Sequence, residues 1–391
     1  MIKKVIVLFL IICFSNCNFA QDISGKIRVI EYQELENQKN LIKKGNKKAV
    51  DSFNKLIKQA HKLLECKPFS VVNKIGVPPS KSKHDYMSIG PYWWPNPNSE
   101  NGLPYIRKDG EINPETRNNA TDYVEKTNFI SAVKTLTKAY YYSDDEKYAD
   151  KGMQLIKAWF LDDATKMNPN VNYGQYVPGQ SEGRCFGILE FKGIESVLKF
   201  LELTKDQKIL DKKIEKGILN WLTEYANWLQ KSKLGKKEAT RENNHGTYYD
   251  IQLLNILLYL HRIEEVKEYL TTITTARIFQ QIEPDGSQPK ELARTKSYSY
   301  TVMNLSGFLE LVKLGQKVGV NLWNVASEDG RSIKKGYQYM LPYLIQEKEW
   351  KLPQIVDKKH SEDKLISDLK YIKRELNDNS FDKALDLIKN K

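Results

Sequence analysis

Two short polar stretches concentrate the side chains that hold anions or move protons. Arg241-Glu242-Asn243-Asn244-His245-Gly246 precedes an apolar run with Tyr248, Ile251 and Leu254, and Glu291-Leu292-Ala293-Arg294-Thr295-Lys296-Ser297-Tyr298-Ser299-Tyr300 leads into another. Asn244 and His245 either cap a helix or turn inward and hydrogen-bond an anion. An Arg near a Tyr suits removal of a proton beside a carboxylate. The cation offsets charge building on the acid and favours the phenolate of a group whose free pKa is roughly 10. If residues 294–300 are helical, Tyr298 stacks on the Arg294 face while Tyr300 is turned away, so the two would approach one ligand from different sides. A surface cation and a core aromatic are the plain alternative.

Residues 76–118 and 168–184 interrupt the rest of the chain with Pro, Gly, Asn and aromatic residues, including Tyr92-Trp93-Trp94-Pro95-Asn96-Pro97 and Tyr173-Gly174-Gln175-Tyr176. Loops this long are usually functional, and their aromatic content argues against disorder. Tyr92, Trp93, Trp94, Tyr105 and Tyr173 are candidate sugar platforms, with loop packing as the alternative. Gln175 and Arg184 suit contacts to hydroxyls or carboxylates. Tyr248 and Tyr298 complete the candidate binding set.

Apolar positions at steps of three and four predict helices over residues 44–64, 129–142, 148–160, 187–203, 209–229, 248–260, 266–276, 302–318 and 333–344. Short connectors between them predict antiparallel neighbours. The expected fold is all-α, a toroid built as an incomplete ring of about six to seven helical hairpins. Residues 21–391 are expected to make one domain, with a peripheral Lys-rich tail at 357–391.

The 391 residues are 40% hydrophobic and 28% charged, an ordinary globular balance. Residues 1–20 combine Lys3 and Lys4 with a short apolar run and end at Ala20, which predicts a cleaved signal peptide and a periplasmic or secreted product. Cleavage near Ala20 is preferred to lipidation of Cys17, because Phe14-Ser15-Asn16 is a poor lipoprotein signal. No other stretch is apolar enough for stable membrane insertion. Removing Lys3 and Lys4 lowers the formal charge from +12 to +10, which favours a polyanionic partner. Without a compact basic block, zinc-finger spacing or RNA-recognition signature, acidic polysaccharide is a better partner than nucleic acid. Cys66 and Cys185 are either bridged or two free thiols, and no clustered ligand spacing predicts a metal or other cofactor. The chain is expected to act as a monomer.

The segments Asp85-Tyr86-Met87-Ser88, Gly90-Pro91-Tyr92-Trp93-Trp94-Pro95, Leu103-Pro104-Tyr105, Asp109-Gly110, 170–184, Asn243-Asn244-His245 and 294–300 occur in one order across roughly residues 50–345. Together they resemble the alginate lyase superfamily of helical-toroid polysaccharide lyases, especially the Bacteroidetes-type enzymes of polysaccharide lyase family thirty-eight. The resemblance implies cleavage of a uronate polymer by β-elimination. It also implies that Asn244, His245 and Arg294 neutralise the carboxylate while Tyr300, or Tyr298, transfers protons. One Tyr can serve a substrate whose C5 proton and C4 oxygen share a side, as in mannuronate and glucuronate; His245 as a separate base would admit guluronate. Two other readings remain. A glycoside hydrolase would need opposed carboxylic acids, nominally Asp250, Glu291 or Glu182, and a glycan-binding protein would need only the platforms and cations.

Overall fold

The computed structural model describes residues 29–205 and 209–389; the expected leader and Cys17 lie outside them. The α-helices run in chain order as α1 (Tyr32–Lys43), α2 (Lys47–Leu64), α3 (Tyr123–Ser143), α4 (Glu146–Phe160), α5 (Glu195–Leu203), α6 (Lys212–Lys231), α7 (Lys233–Ala239) and α8 (Asn244–Tyr259). They continue as α9 (Ile263–Tyr269), α10 (Thr275–Gln281), α11 (Pro289–Leu292), α12 (Ser297–Val318), α13 (Ile333–Leu344), α14 (Lys359–Glu375) and α15 (Asp382–Lys389). Polar caps start several of them: Asn46, Asp145, Asp211, Ser232 and Ser332 each accept a backbone N–H from the first turn.

Helix α2 packs on α3, α3 on α4 and α5, α5 on α8, and α8 on α12, which also meets α13 and α14. This is the expected all-α toroid. Its central helix is α8, in which His245 and Tyr248 alone escape full burial. Beyond Tyr248 every face of this helix is inside, which is why polar residues such as Asp250, Gln252 and Asn255 are buried along with the apolar ones.

The two long loops meet each other. Strand β1 (Met87–Ile89) pairs in parallel with β4 (Tyr173–Tyr176), and β2 (Trp93–Trp94) pairs antiparallel with β3 (Ile106–Arg107). Gly90 N–H donates to Tyr176 O at 3.0 Å and Tyr105 N–H to Pro178 O at 3.1 Å, so the loops form one layer. Beneath that layer Lys74 and Asp122 pair at 3.0 Å, both inaccessible to solvent, and Asp122 also accepts Met87 N–H at 2.8 Å. The layer is thereby fixed to the start of α3.

Three expectations need correction. The helix expected over 187–203 begins as a 3-10 helix, Cys185–Ile194, and becomes α-helical only from Glu195. The helix expected over 266–276 is the middle of a longer one, α9 joined to α10 through a π-helical turn, Leu270–Thr274. The tail is not peripheral. Leu365, Leu369, Ile372 and Phe381 are fully buried, and Asp368 accepts the hydroxyls of Ser306 at 2.5 Å and Tyr337 at 3.1 Å. Apolar positions on α14 therefore complete the core around α12. Among the described residues no helix is long and apolar enough to cross a membrane.

Candidate active site

Asn244 and His245 occupy the first turn of α8, and the connector before them is clamped from below. Arg277 donates through Nη1 to Arg241 O at 2.8 Å and through Nη2 to Ala239 O at 2.7 Å, while Nε and Nη2 hold Asp250 at 2.7 and 2.9 Å. Gln281 donates to Asn243 O at 3.0 Å. Gly246 lets the clamp close: a Cβ there would lie 2.0 Å from Arg277 Nη1 and 2.2 Å from Arg241 O. Glu291 accepts the Asn244 backbone N–H at 2.6 Å and its amide at 2.9 Å, a carboxylate at a helix N-terminus where unpaired N–H groups favour negative charge. Burial raises the Glu291 pKa, and the Asn244 hydrogen bonds work against that rise.

His245 Nδ1 lies 2.5 Å from Oε1 of Glu238, a residue with no solvent exposure on α7. A carboxylate accepts, so this contact places the proton on Nδ1 and leaves Nε2 as the nitrogen available to a ligand. Phe186 packs on the imidazole with ring centres 4.7 Å apart. Cys185 and Cys66 are free thiols, so they are not bridged. Burial, reinforced by Glu238, pushes the Cys185 thiol up to about 12.

The expected helix through 294–300 is interrupted. Lys296 pairs with Gln354 in an isolated β-bridge, and α12 starts at Ser297. As a result Arg294 folds back over Tyr300, its guanidinium 4.0 Å from the ring centre, rather than turning away from it. Asp109 holds that guanidinium from the loop layer, accepting from Nη2 at 2.9 Å and Nε at 3.1 Å. Burial opposes ionisation of Asp109, yet the Arg294 hydrogen bonds and charge hold its pKa down at about 2. The Tyr300 hydroxyl is 2.7 Å from that of Tyr92. Burial and Tyr92 raise the Tyr300 pKa above its ordinary value, and Arg294 pulls in the other direction.

These groups line a cleft of about 1150 Å³. Tyr92, Trp93, Gln175, Arg184, Asn244, His245, Arg294 and Tyr300 all border it, so eight candidate residues from distant parts of the chain converge. Arg184 donates to Gln175 O at 2.8 Å and Oε1 at 3.1 Å, and sits between the Trp93 and Phe186 rings. Gly90 leaves the space it needs, since a Cβ there would lie 2.4 Å from Arg184 Nη2. Nine Lys or Arg side chains border the cleft against two Glu, which makes it a receptacle for a polyanion.

Five candidates fall outside the lining, among them Tyr105, whose backbone joins the two loops through Pro178 and Gln180 instead. Trp94 follows Trp93 on one strand and so faces the other way, its indole N–H donating to Glu111 O at 3.1 Å. Tyr173 and Gln175 do not share a face because the positive φ of Gln175, 49°, breaks the alternation of β4. Tyr248 lies under the floor, donating to Met303 O at 3.2 Å. Tyr298, two residues before Tyr300 and roughly 200° round the helix, is fully buried against Trp350 and does not support Arg294. Sequence reasoning missed Asp109 and Glu238 as partners, and Phe186 and Glu190 as lining. Asp109-Gly110 was legible as a turn, but nothing local points to an Arg 185 positions away.

Asp250 and Glu291 are buried and committed to Arg277 and Asn244, and Glu182 does not border the cleft, so the carboxylates nominated for hydrolysis do not face one another across it. Among the described residues no three His, Cys, Asp or Glu are grouped to hold a metal ion.

The alginate lyase family model matches residues 70–350. An alginate lyase from Bacteroides ovatus, known from its crystal structure, is 34% identical and superposes with a TM-score of 0.86 over 92% of this chain and 94% of that one. Alginate lyase A1-III from Sphingomonas species A1 shares the fold at 14% identity, with a TM-score of 0.50 over 83% of this chain and 81% of that one. No curated protein sequence matches the chain.

Proposed function

Because the chain belongs to the alginate lyase family and is accordingly a polysaccharide lyase, we propose that it cleaves β-1,4-linked uronate polymers, alginate or glucuronan, by β-elimination without a metal. The observation that carries this reading is the Arg294 guanidinium stacked over Tyr300 in a cation-rich cleft. The uronate carboxylate sits among Arg294, His245 and Asn244, where charge developing on it during C5 deprotonation is offset. Tyr300 takes the C5 proton and returns one to the C4 oxygen as the glycosidic bond breaks and the C4–C5 double bond forms. The raised pKa of Tyr300 keeps it a phenol in the free enzyme, so in this cycle its proton first leaves to solvent as substrate binds, and the phenolate then takes the C5 proton and passes it to the C4 oxygen. Arg294 assists the base half by favouring the phenolate.

The Glu238–His245 contact supports a second route for guluronate, whose C5 proton and C4 oxygen lie on opposite sides. There His245 Nε2 acts as the base and Tyr300 as the acid. We place the enzyme in the periplasm or outside the cell, in keeping with the leader read from residues 1–20.

Ultraviolet absorbance tests the reading, because elimination creates a conjugated double bond. Polymannuronate, alginate or glucuronan should yield absorbing oligosaccharides, at the same rate with and without chelator. Tyr300→Phe should lower kcat by at least ~10²-fold with an unchanged melt, the scale of general acid–base catalysis. Tyr298→Phe should affect Tm rather than kcat, since that ring is in the core. New reducing ends without absorbance would overturn elimination, and an active Tyr300→Phe would remove tyrosine from the mechanism.

A further inference from the structure

Lys126 projects from α3 with 5% of its surface exposed, and yet borders the cleft. Its ammonium has no carboxylate within ion-pair distance among the described residues; it lies 4.5 Å from the centre of the Tyr123 ring. Arg117 covers the same ring at 3.5 Å. Lys192, from the 3-10 helix, is likewise without an ion pair and rests 4.8 Å from the centre of the Tyr248 ring. Glu190 is the acid nearby, and its Oε2 is engaged by the hydroxyls of Tyr86 and Ser88, each at 2.6 Å. Burial pulls the Lys126 pKa down to about 8, opposed by Glu190 and helped by the like charges of Arg117 and Lys192. Three cations are thus gathered in a partly desolvated corner without matching anions, an arrangement that costs stability until an anion arrives.

The corner is also set apart from the reacting groups. Residues three apart on a 3-10 helix share a face, so Phe186, Leu189 and Lys192 border the cleft in a row. Phe186 touches His245 at one end, and Lys192 lies two turns on, about 12 Å along the axis. That is further than one sugar ring reaches.

We propose that Arg117, Lys126 and Lys192 form a second carboxylate-binding subsite, which holds a uronate at least one sugar away from the one at Tyr300. The subsite rests on the reading of the cleft as a uronate-polymer site, and it sets how long an anionic chain must be to bind fully.

Calorimetry on Tyr300→Phe protein, in which turnover should be slowed at least ~10²-fold, tests this with a mannuronate tetrasaccharide, a disaccharide and a tetrasaccharide whose carboxyls have been reduced to alcohols. Adding Lys126→Met or Lys192→Met should raise Kd for the charged tetrasaccharide about ten- to a hundredfold, the scale of one charge-assisted hydrogen bond. The disaccharide and the neutral tetrasaccharide should bind alike to all three proteins. Lys126→Met should melt no lower than its parent, because it removes an uncompensated buried charge, and Lys126→Arg should restore tetrasaccharide binding. Unchanged affinity for the charged tetrasaccharide, or an equal loss for the neutral one, overturns the subsite. Absence of absorbing products from the unmutated enzyme would instead overturn elimination, and the calorimetric comparison would still stand.

Discussion

Asp109 shows how a single side chain beyond the reacting groups governs them. It orients Arg294, and that contact is linked to protons. The carboxyl ionises at about 2 in the folded protein and near 3.9 when unfolded, so the folded state binds fewer protons over that interval. The stability it contributes is complete above roughly pH 4 and is lost as pH falls toward 2. Asp109→Asn should therefore melt below the parent at pH 7, with the gap closing as pH drops from 4 to 2, and should lower kcat/KM because Arg294 loses its anchor. A gap independent of pH would mean that the pair does not contribute through its charge. Residue identities at the site were mostly legible in the sequence, since Asn244, His245, Arg294 and Tyr300 do line one cleft. Their partners were not: Asp109 and Glu238 gain meaning only when separate segments meet, and a local pattern carries no such information.

At the scale of elements, the site depends on how three helices begin. Helix α8 starts within the Arg277 clamp, α12 starts only after the bridge at Lys296, and the 3-10 helix turns Phe186 and Lys192 to one side. Most amphipathic helices could be read from steps of three and four. The 3-10 segment could not, because within ten residues its period differs too little from that of an α-helix. Helix α7 is seven residues with three Lys and gives no stripe, although it carries Glu238. The break between Arg294 and α12 was hidden because Thr295 and Lys296 are stopped by pairing with residues 354–355 rather than by Pro or Gly. Gly246→Ala tests the clamp. Its added carbon overlaps Arg277 and the Arg241 carbonyl, a strain of roughly 1–3 kcal/mol. Tm should fall by several degrees and kcat should fall with it as Asn244 and His245 shift; a variant with the parent's melt and rate would show that the connector is not held as described.

Across the whole molecule, residues from both ends of the described segment converge on the ring. The tail packs Leu365 and Leu369 into the core beside α12, the helix that bears Tyr300. At the other end Glu202 accepts the backbone N–H groups of Val29 and Ile30 at 2.7 and 2.9 Å, while Lys317 donates to Val29 O at 2.6 Å across 288 positions. Glu31 joins Lys199 and Lys317 in the same clasp. The clasp has a temporal meaning. A chain emerging start-first from a ribosome can use Glu202 and Lys199 early, but cannot complete the clasp until residue 317 has followed. Completion therefore comes after α1 to α11 have already emerged, which makes the Lys317 contacts among the late ones to form. Stalled nascent chains of increasing length should remain open to protease near residue 30 until Lys317 is clear of the exit, and early protection would show that the first helices settle without it.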